Sequence, residues 1–363
     1  MKNRNAILSN IFSILTPVII ALFVGGIIIA AIGEDPFLTY QVMIQKSLFS
    51  VKGILKTLHF AAPLILTGLA IAITFKANIF NMGVEGAAVL GAFFAGVVGF
   101  SLKDINPVFL VTLCLLTGIF VGMVLTLIPA ILKAYFKVNE MVVTLMLNYV
   151  VAEAVKYLAQ GVFRDPASGY VATYAIAQNA MFKKIFNSDL TPFFFIAIFT
   201  FGILYIVFKK SKIGFEITAI GKNPEFSEAT GMNVAKKIII IMLISGALSG
   251  LAGAGFLMSE KYRFTLDFSG SPGLGWDGML IALLGGNNPI GVLVAAVFYA
   301  ALKTGSEYIG LFTNVPKDIV GVIQGILILC LSVRFVNQKS NLVGRLAVVF
   351  GKLKRKRVKS NEY

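Results

Sequence analysis

Long apolar stretches alternate with short polar segments along the whole chain. Several stretches contain no Asp, Glu, Lys or Arg over about 20 residues, the length that a helix needs to cross a bilayer. Examples are Ile11–Ile32, Thr57–Phe75, Pro107–Leu132 and Ile238–Met258. The pattern predicts an all-α integral membrane protein with about ten membrane segments. These segments are expected at residues 11–32, 54–75, 84–102, 107–132, 141–160, 191–208, 238–258, 276–286, 289–306 and 317–336.

The eighth and ninth segments are the least regular part of this pattern. Gly278–Leu302 is uncharged, but the sequence GGNNP at 285–289 interrupts it. One broken helix would give nine crossings, whereas two segments or a re-entrant pair would keep the count at ten. We therefore expect broken or re-entrant segments near 276–306.

The distribution of basic residues decides between these two counts. With ten segments and the N-terminus inside, 20 Lys and Arg residues lie inside and 10 outside, as the positive-inside rule requires. Nine crossings would place the basic cluster at 354–357 outside. We expect residues 1–363 to form a single transmembrane domain with both termini cytoplasmic. It would carry an external loop at 161–190, a cytoplasmic loop at 209–237 and a basic cytoplasmic tail at 337–363.

Composition narrows the class of protein further. The chain is 57% hydrophobic and 13% charged, whereas about a quarter of the residues in soluble proteins are charged. A net charge of +15 would suggest nucleic-acid binding in a soluble chain, but here the basic residues flank membrane segments, and no nucleic-acid partner is expected. The two cysteines and the single histidine argue against a disulfide framework, a metal site or a histidine-based catalytic site.

A weak internal repeat indicates two related halves. Gly83-Val-Glu-Gly86 opens one apolar segment and Gly275-Trp-Asp-Gly278 opens another. Two halves of five segments each would be inverted relative to one another, as in many transporters. The alternative is a chance match of a short motif in a glycine-rich chain. The ten-segment topology places Glu85 and Asp277 near opposite membrane faces, where each would favour the start of a helix.

The cytoplasmic loop contains the signals of a short helix. Asn223 is a good N-cap, Pro224 suits the first helical position, and Glu225 favours the positive helix start. Gly231 can adopt the left-handed conformation that ends a helix. A helix of about two turns is unstable alone, so it packs either on its own loop or on a soluble partner. For a partner, Phe226, Ala229 and Thr230 would share one face, and Glu225 and Glu228 would meet basic residues.

Polar residues inside apolar segments are the candidates for substrate contact, because they are costly in a bilayer. Asn148 lies near the middle of the fifth segment and serves either a substrate or an interhelical hydrogen bond. Asn78 and Asn81 lie in a break before the third segment, where free backbone groups can meet a substrate. Glu153 and Lys156 are interpreted as an intrahelical ion pair, with a proton relay as the alternative.

Several motifs in combination resemble the permeases of the ribose and nucleoside branch of bacterial ABC importers. Residues 214–234, with a G-x-N-P motif, are followed by LISGALSGLAGA at 243–254. Three further similar stretches are NIFNMGVEG at 78–86, EMVVTLMLNY at 140–149 and GWDGMLIALLG at 275–285. The matches cover about residues 60–330. Phe226 and Ser227 depart from the family, which often has two alanines there.

The resemblance implies a ten-helix permease subunit in the bacterial plasma membrane. It would form a dimer, with a heterodimer favoured over a homodimer, and would take substrate from an extracytoplasmic substrate-binding lipoprotein. A separate ABC ATPase would dock on the cytoplasmic loop and bind ATP and Mg²⁺, so this chain would hold no cofactor. Nucleoside members, purine transporters in particular, resemble the chain better than sugar members do, because of the loop at 161–190 and the stretch at 140–149.

The resemblance assigns two groups of residues. Those expected to couple to the ATPase are Gly221, Asn223, Pro224, Glu225, Phe226, Glu228, Ala229 and Gly231. The substrate-path candidates are Asn78, Asn81, Glu85 and Asn148.

Three other functions are weaker alternatives. A simple-sugar ABC permease would share the same motifs. An ion-coupled secondary transporter needs mid-membrane carboxylates, and Glu153 is the only deep candidate. A membrane enzyme is disfavoured because no nucleophile–base or metal-ligand pattern is present, and the absence of a phosphate-loop motif fits a chain whose ATP is bound by a partner.

Overall fold

A computed structural model describes residues 2–269, 272–313, 315–316, 318–326 and 329–330, with the side chains of 2–15 and 269 left aside. Two compact units are present. One consists of the described residues up to Phe37 together with those from Val315 onward, and the other consists of the described residues within 38–314. Among the described residues the regular structure is helical, with two isolated bridges, Arg164 to Thr173 and Ala172 to Thr265.

Most helices follow one another with short connections, and the longest connection lies between α6 and α7. In chain order they are α1 Lys2–Ala31, α2 Pro36–Leu48, α3 Val51–Lys76, α4 Val84–Ser101, α5 Pro107–Phe136, α6 Glu140–Gln160, α7 Phe193–Lys210, α8 Lys212–Lys222, α9 Pro224–Ala229, α10 Val234–Phe256, α11 Leu266–Ser269, α12 Leu274–Leu284 and α13 Pro289–Phe312. A π-helical turn at Leu257–Lys261 extends α10.

Within the described ranges, seven helices are long and apolar enough to cross a membrane: α3, α4, α5, α6, α7, α10 with its π turn, and α13. Two shorter apolar helices lie at Thr16–Ala31 and Leu274–Leu284. The prediction of an all-α, multi-pass membrane protein is therefore confirmed. The predicted segment 317–336 runs beyond the described residues, and the predicted tail 337–363 lies outside them altogether.

Two places in the structure bear on the predicted pattern, the first as a difference and the second as a confirmation. α2 lies outside the predicted segments, because Gln41, Gln45 and Lys46 interrupt its apolar residues. The irregular region near 276–306 is indeed broken, into α12 and α13. At the turn between them, Gly286 and Asn287 have positive φ angles of 62° and 55°.

Close backbone contact between α5 and α10 forms the centre of the second unit. A Cβ atom on Gly122 would lie 2.2 Å from the carbonyl oxygen of Gly246, and one on Gly250 would lie 1.9 Å from that of Gly118. Small residues spaced by four along both helices permit this approach, as is common in membrane bundles. α10 also packs on α4, while α3 packs on both α12 and α13.

The loop between α6 and α7 is fastened to the segment that follows α10. Backbone N–H groups of Thr173, Ile176 and Phe182 donate to the carbonyl oxygens of Phe264, Tyr262 and Met258, at 2.9, 2.9 and 3.0 Å. Within the loop, Lys184 Nζ lies 2.6 Å from Asp189 Oδ1. The hydrogen bond from this ammonium lowers the pKa of the Asp189 carboxyl below its usual value.

Candidate functional site

A non-helical break at residues 77–83 separates α3 from α4 inside the second unit. Asn78 ends α3 in the left-handed conformation, with φ 58°. Asn81 is fully buried; its Nδ2 donates to Ser245 Oγ of α10 at 2.9 Å, and its Oδ1 accepts from the Gly83 N–H at 3.0 Å. The side chain of Asn81 therefore ties the break to α10.

One face of α6 holds the backbone of this break. Glu140 and Thr144 are buried. Glu140 Oε1 accepts from the Phe80 N–H and Thr144 Oγ1 from the Met82 N–H, both at 3.1 Å. The other carboxylate oxygen of Glu140 lies 2.8 Å from Lys133 Nζ of α5, so the buried charge is paired.

Asn148 continues the same face, four residues beyond Thr144. Its Oδ1 accepts from the Gly86 N–H at 2.9 Å, and its Nδ2 donates to the Met82 carbonyl at 2.8 Å. Both are interhelical hydrogen bonds, which is one of the two roles predicted for Asn148. The amide thus satisfies one orphan N–H in the first turn of α4 as well as a carbonyl of the break.

Glu85 connects α4 to the start of α12. It is buried, with 4% of its surface exposed, and its two carboxylate oxygens accept from the backbone N–H groups of Gly273, at 2.8 Å, and Gly275. The N-terminal ends of α4 and α12 therefore lie side by side. The prediction that Glu85 and Asp277 lie near opposite faces of the membrane is wrong, because the residues just before Asp277 bind Glu85 directly.

The start of α12 carries a second polar contact. Tyr299 of α13 donates its hydroxyl hydrogen to Asp277 Oδ1. α12 has only 11 residues, which span about 16 Å at 1.5 Å per residue. This is roughly half of a hydrocarbon core of about 30 Å.

The loop at 209–237, which is predicted to be cytoplasmic, folds into two consecutive helices, α8 and α9. The predicted signals of the short helix are confirmed: Asn223 Oδ1 accepts from the Phe226 N–H at 2.9 Å, Pro224 is the first residue of α9, and Gly231 has φ 86°. Phe226 is 67% exposed. Glu225, Glu228, Ala229 and Thr230 are also exposed, whereas Ser227 is buried.

Two contacts fasten α8 to the helix bundle. A Cβ atom on Gly221 would lie 1.9 Å from the carbonyl oxygen of Lys76, so α8 touches the last turn of α3, immediately before the break. Glu216, which is buried, lies 2.6 Å from Lys237 Nζ of α10. The loop thus rests on the bundle on one side and presents the exposed face of α9 on the other.

The structure therefore brings Asn81, Glu85 and Asn148 into one hydrogen-bonded region around the break, with Asn78 at its edge. The residues predicted to couple to an ATPase, 221–231, form a separate group, which meets this region through Gly221. Sequence reasoning missed Glu140 and Thr144, although their four-residue spacing from Asn148 on one helical face was a usable signal. It also missed Ser245, Gly273 and Tyr299, whose contacts join residues far apart in the chain.

Within the described residues, no group of His, Cys, Asp and Glu could hold a metal ion.

Comparison with known proteins gives consistent matches over most of the chain. Residues 53–332 match the family described as "Branched-chain amino acid transport system / permease component". The Nucleoside ABC transporter permease protein NupB of Lactococcus lactis is 33% identical over 336 residues, which cover 89% of this chain and 92% of NupB. No solved structure gives a significant match.

Two further relatives are similar in extent. The Guanosine ABC transporter permease protein NupP of Bacillus subtilis is 31% identical over 356 residues, covering 96% of this chain and 98% of NupP. The Glucose ABC transporter permease protein TsgB13 of Haloferax volcanii is 31% identical over 325 residues, covering 86% of this chain and 85% of TsgB13.

Proposed function

This chain belongs to the branched-chain amino acid transport system permease family, and from that premise we propose that it imports a nucleoside, of the purine type, across the bacterial plasma membrane. It is a membrane component of an ABC transporter rather than an enzyme. The observation that carries the mechanism is α9, a short helix with an exposed face that is joined through Gly221 to the break beside α3.

The choice of a nucleoside rests on the relatives. The names of two of them specify a nucleoside and guanosine. The name of the third specifies glucose, and its identity of 31% equals that of the guanosine permease. A simple sugar is therefore the second candidate substrate.

The proposed topology has two inverted halves of five segments, with α12 and α13 as a broken or re-entrant pair and both termini in the cytoplasm. The packing supports this arrangement, because α10 packs on α4 and α5 just as α3 packs on α12 and α13. The adjoining N-terminal ends of α4 and α12 fit two helices that approach from opposite sides. The 16 Å length of α12 fits a segment that crosses only part of the bilayer.

The proposed coupling site is residues 221–231. Phe226 and the carboxylates of Glu225 and Glu228 would enter a groove of a separate ABC ATPase, which binds ATP and Mg²⁺. Movement of α9 would then reach the break through Gly221 and the end of α3. The break, with Asn78, Asn81, Glu85 and Asn148 around it, would change its arrangement as the path opens to one side and then the other. This chain itself would hold no cofactor.

The proposed assembly contains three further proteins. They are a second permease, with a heterodimer favoured, the ABC ATPase and an extracytoplasmic substrate-binding lipoprotein. The loop at 161–190 would be external, and the loop at 209–237 would be cytoplasmic.

The substrate is tested by uptake of labelled guanosine into cells with and without the chain. Loss of guanosine uptake on deletion, together with no competition by excess ribose or glucose in the parent strain, is the expected result. Unchanged uptake of labelled guanosine on deletion, together with loss of labelled glucose uptake, would transfer the assignment to a sugar.

Coupling is tested with the Phe226→Ala variant of the assembled transporter in proteoliposomes. We expect at least a tenfold loss of ATP-driven uptake while the ATPase activity of the complex persists, because a docking side chain is removed. Phe186→Ala is the matched control, since Phe186 is 75% exposed and Phe226 67%, yet Phe186 lies in the loop at 161–190. Equal uptake by both variants would overturn the assignment of α9.

A further inference from the structure

We propose that the exposed face of α6 lines the water-filled path of the transported nucleoside, an inference that rests on the proposed function. This face is made of Met146, Tyr149, Val150, Glu153 and Tyr157. It lies opposite the face that holds the break. Its members are 65%, 75%, 62%, 74% and 74% exposed, the value for Glu153 being that of its side chain.

The exposed faces of two neighbouring spans provide the comparison. The large exposed side chains of α5 include Leu116, Phe120 and Val124, and those of α7 include Phe195 and Phe199. Hydrocarbon is a suitable surrounding for these side chains. α5 and α7 therefore face lipid. Their exposed apolar side chains are the reference with which the exposed face of α6 is compared.

The exposed face of α6 is built differently. Glu153 lies seven residues before the end of the helix, roughly 10 Å along its axis. Its carboxylate is 3.5 Å from Lys156 Nζ, and that side chain is also substantially exposed, at 45%. A charged pair exposed at this depth is costly in hydrocarbon, and charged residues within spans face a bundle interior or a water-filled cavity.

The spacing of the polar groups suits a nucleoside. Tyr149, Glu153 and Tyr157 follow one another at four-residue intervals, so they form a row on one helical face with neighbours about 5–6 Å apart. Tyrosine rings provide surfaces on which a base can stack. Between them, the Glu153 carboxylate can accept hydrogen bonds from ribose hydroxyl groups.

The opposite face of α6 connects this row of side chains to the break at residues 77–83. Glu140, Thr144 and Asn148 hold the break by four hydrogen bonds. A rearrangement of the break would therefore move α6 and its exposed row together. α6 would then both line the path and move when the break rearranges.

Cysteine accessibility tests the path independently of the substrate. In the assembled transporter carrying Cys114→Ala and Cys330→Ala, Val150→Cys is treated with a membrane-impermeant methanethiosulfonate reagent. Only a thiol in contact with water forms the reactive thiolate. The matched control is Leu116→Cys on α5, because Leu116 is 54% exposed and both positions lie roughly 14–15 Å from the near ends of their helices.

Modification at Val150→Cys at least tenfold faster than at Leu116→Cys is expected. Equal, slow modification at both positions would overturn the inference, since the α6 face would then be covered by lipid or by another protein.

Excess guanosine should slow the reaction at Val150→Cys several-fold. If guanosine is imported by the same vesicles but does not slow it, the path lies elsewhere; if glucose slows it and guanosine is not imported, the path stands and the proposed substrate fails.

Substitutions at Tyr149 test the stacking role. Tyr149→Ala should raise the KM for guanosine about tenfold or more, the effect of losing one base–aromatic stack. Tyr149→Phe retains the ring and should leave KM nearly unchanged. An unchanged KM in Tyr149→Ala, in a transporter assembled in normal amount, would overturn the assignment of this residue.

Discussion

At the scale of single residues, the side-chain amide of Asn148 makes the hydrogen bonds that a backbone peptide group would otherwise make to the break beside α4. It accepts from the Gly86 N–H and donates to the Met82 carbonyl. An unmade hydrogen bond at a buried polar group costs about 1–3 kcal/mol. One side chain therefore holds both the carbonyl of Met82 and the N–H of Gly86.

Asn148→Leu should lower the free energy of unfolding by about 1–3 kcal/mol, because it leaves the N–H of Gly86 and the carbonyl of Met82 without this partner. Thermal unfolding of the purified protein in detergent would measure the change. Met146→Leu, on the exposed face of the same helix, should leave the melting temperature nearly unchanged. Equal melting temperatures for both variants would contradict the assigned role.

How far sequence predicts a residue's role depends on how local its contacts are. Asn223 was correctly predicted as an N-cap because its partner, the Phe226 N–H, lies three residues away and the cap signals are local. Glu85 was misplaced because its partners, Gly273 and Gly275, lie 188 and 190 residues away. Repeat and charge patterns gave no information about that contact.

At the scale of helices, α5 and α10 depend on the absence of side chains at their crossing. Gly118 and Gly122 of α5 face Gly246 and Gly250 of α10, with carbonyl oxygens where Cβ atoms would lie. The contact is backbone against backbone, so a single methyl group would have to push the two helices apart.

Gly250→Ala should destabilise the protein by about 1–3 kcal/mol, the usual cost of overpacking, because its Cβ would lie 1.9 Å from the Gly118 oxygen. Gly202→Ala in α7 is the control, since nothing lies within 4 Å of a Cβ at that position. Alanine is the better helix former, so Gly202→Ala should be neutral or slightly stabilising. Thermal unfolding in detergent distinguishes the two, and a neutral Gly250→Ala would show that the crossing is loose.

The helices themselves were largely predictable, because an uninterrupted apolar stretch of sufficient length has few alternatives in a membrane. α3, α5, α6 and α13 begin within three residues of their predicted starts. α2 was missed because a helix that is too polar to resemble a span can still form where neighbouring elements bury part of it. Met43 of α2, for example, is 3% exposed and packs on Gly305 of α13.

At the scale of the whole molecule, Glu85 joins the earlier and later parts of the second unit. Its carboxylate receives two N–H groups at the start of α12, where the helix dipole favours a negative charge. A glutamine would keep the size but would replace one acceptor oxygen by a donor NH₂ group, which cannot accept an N–H.

Glu85→Gln should reduce uptake at least tenfold and lower the free energy of unfolding by about 1–3 kcal/mol, because one N–H group at the start of α12 loses its partner. Uptake in proteoliposomes and thermal unfolding would measure the two effects. Asp104→Asn, at an exposed position between α4 and α5, is the control and should change neither. Normal uptake by Glu85→Gln would show that the link between α4 and α12 is dispensable.

The distance along the chain between Glu85 and its partners also sets the order of biogenesis. At a synthesis rate of about 5–20 residues per second, the 188 residues from Glu85 to Gly273 take roughly 10–40 s to emerge from the ribosome. During that interval α6 can already hold the break, since Asn148 lies only 62 residues beyond Gly86. The Glu85 carboxylate, by contrast, lacks the N–H groups of Gly273 and Gly275 throughout that interval. Because a buried carboxylate needs hydrogen-bond partners in apolar surroundings, the environment of Glu85 is complete only after residue 275 has been synthesised.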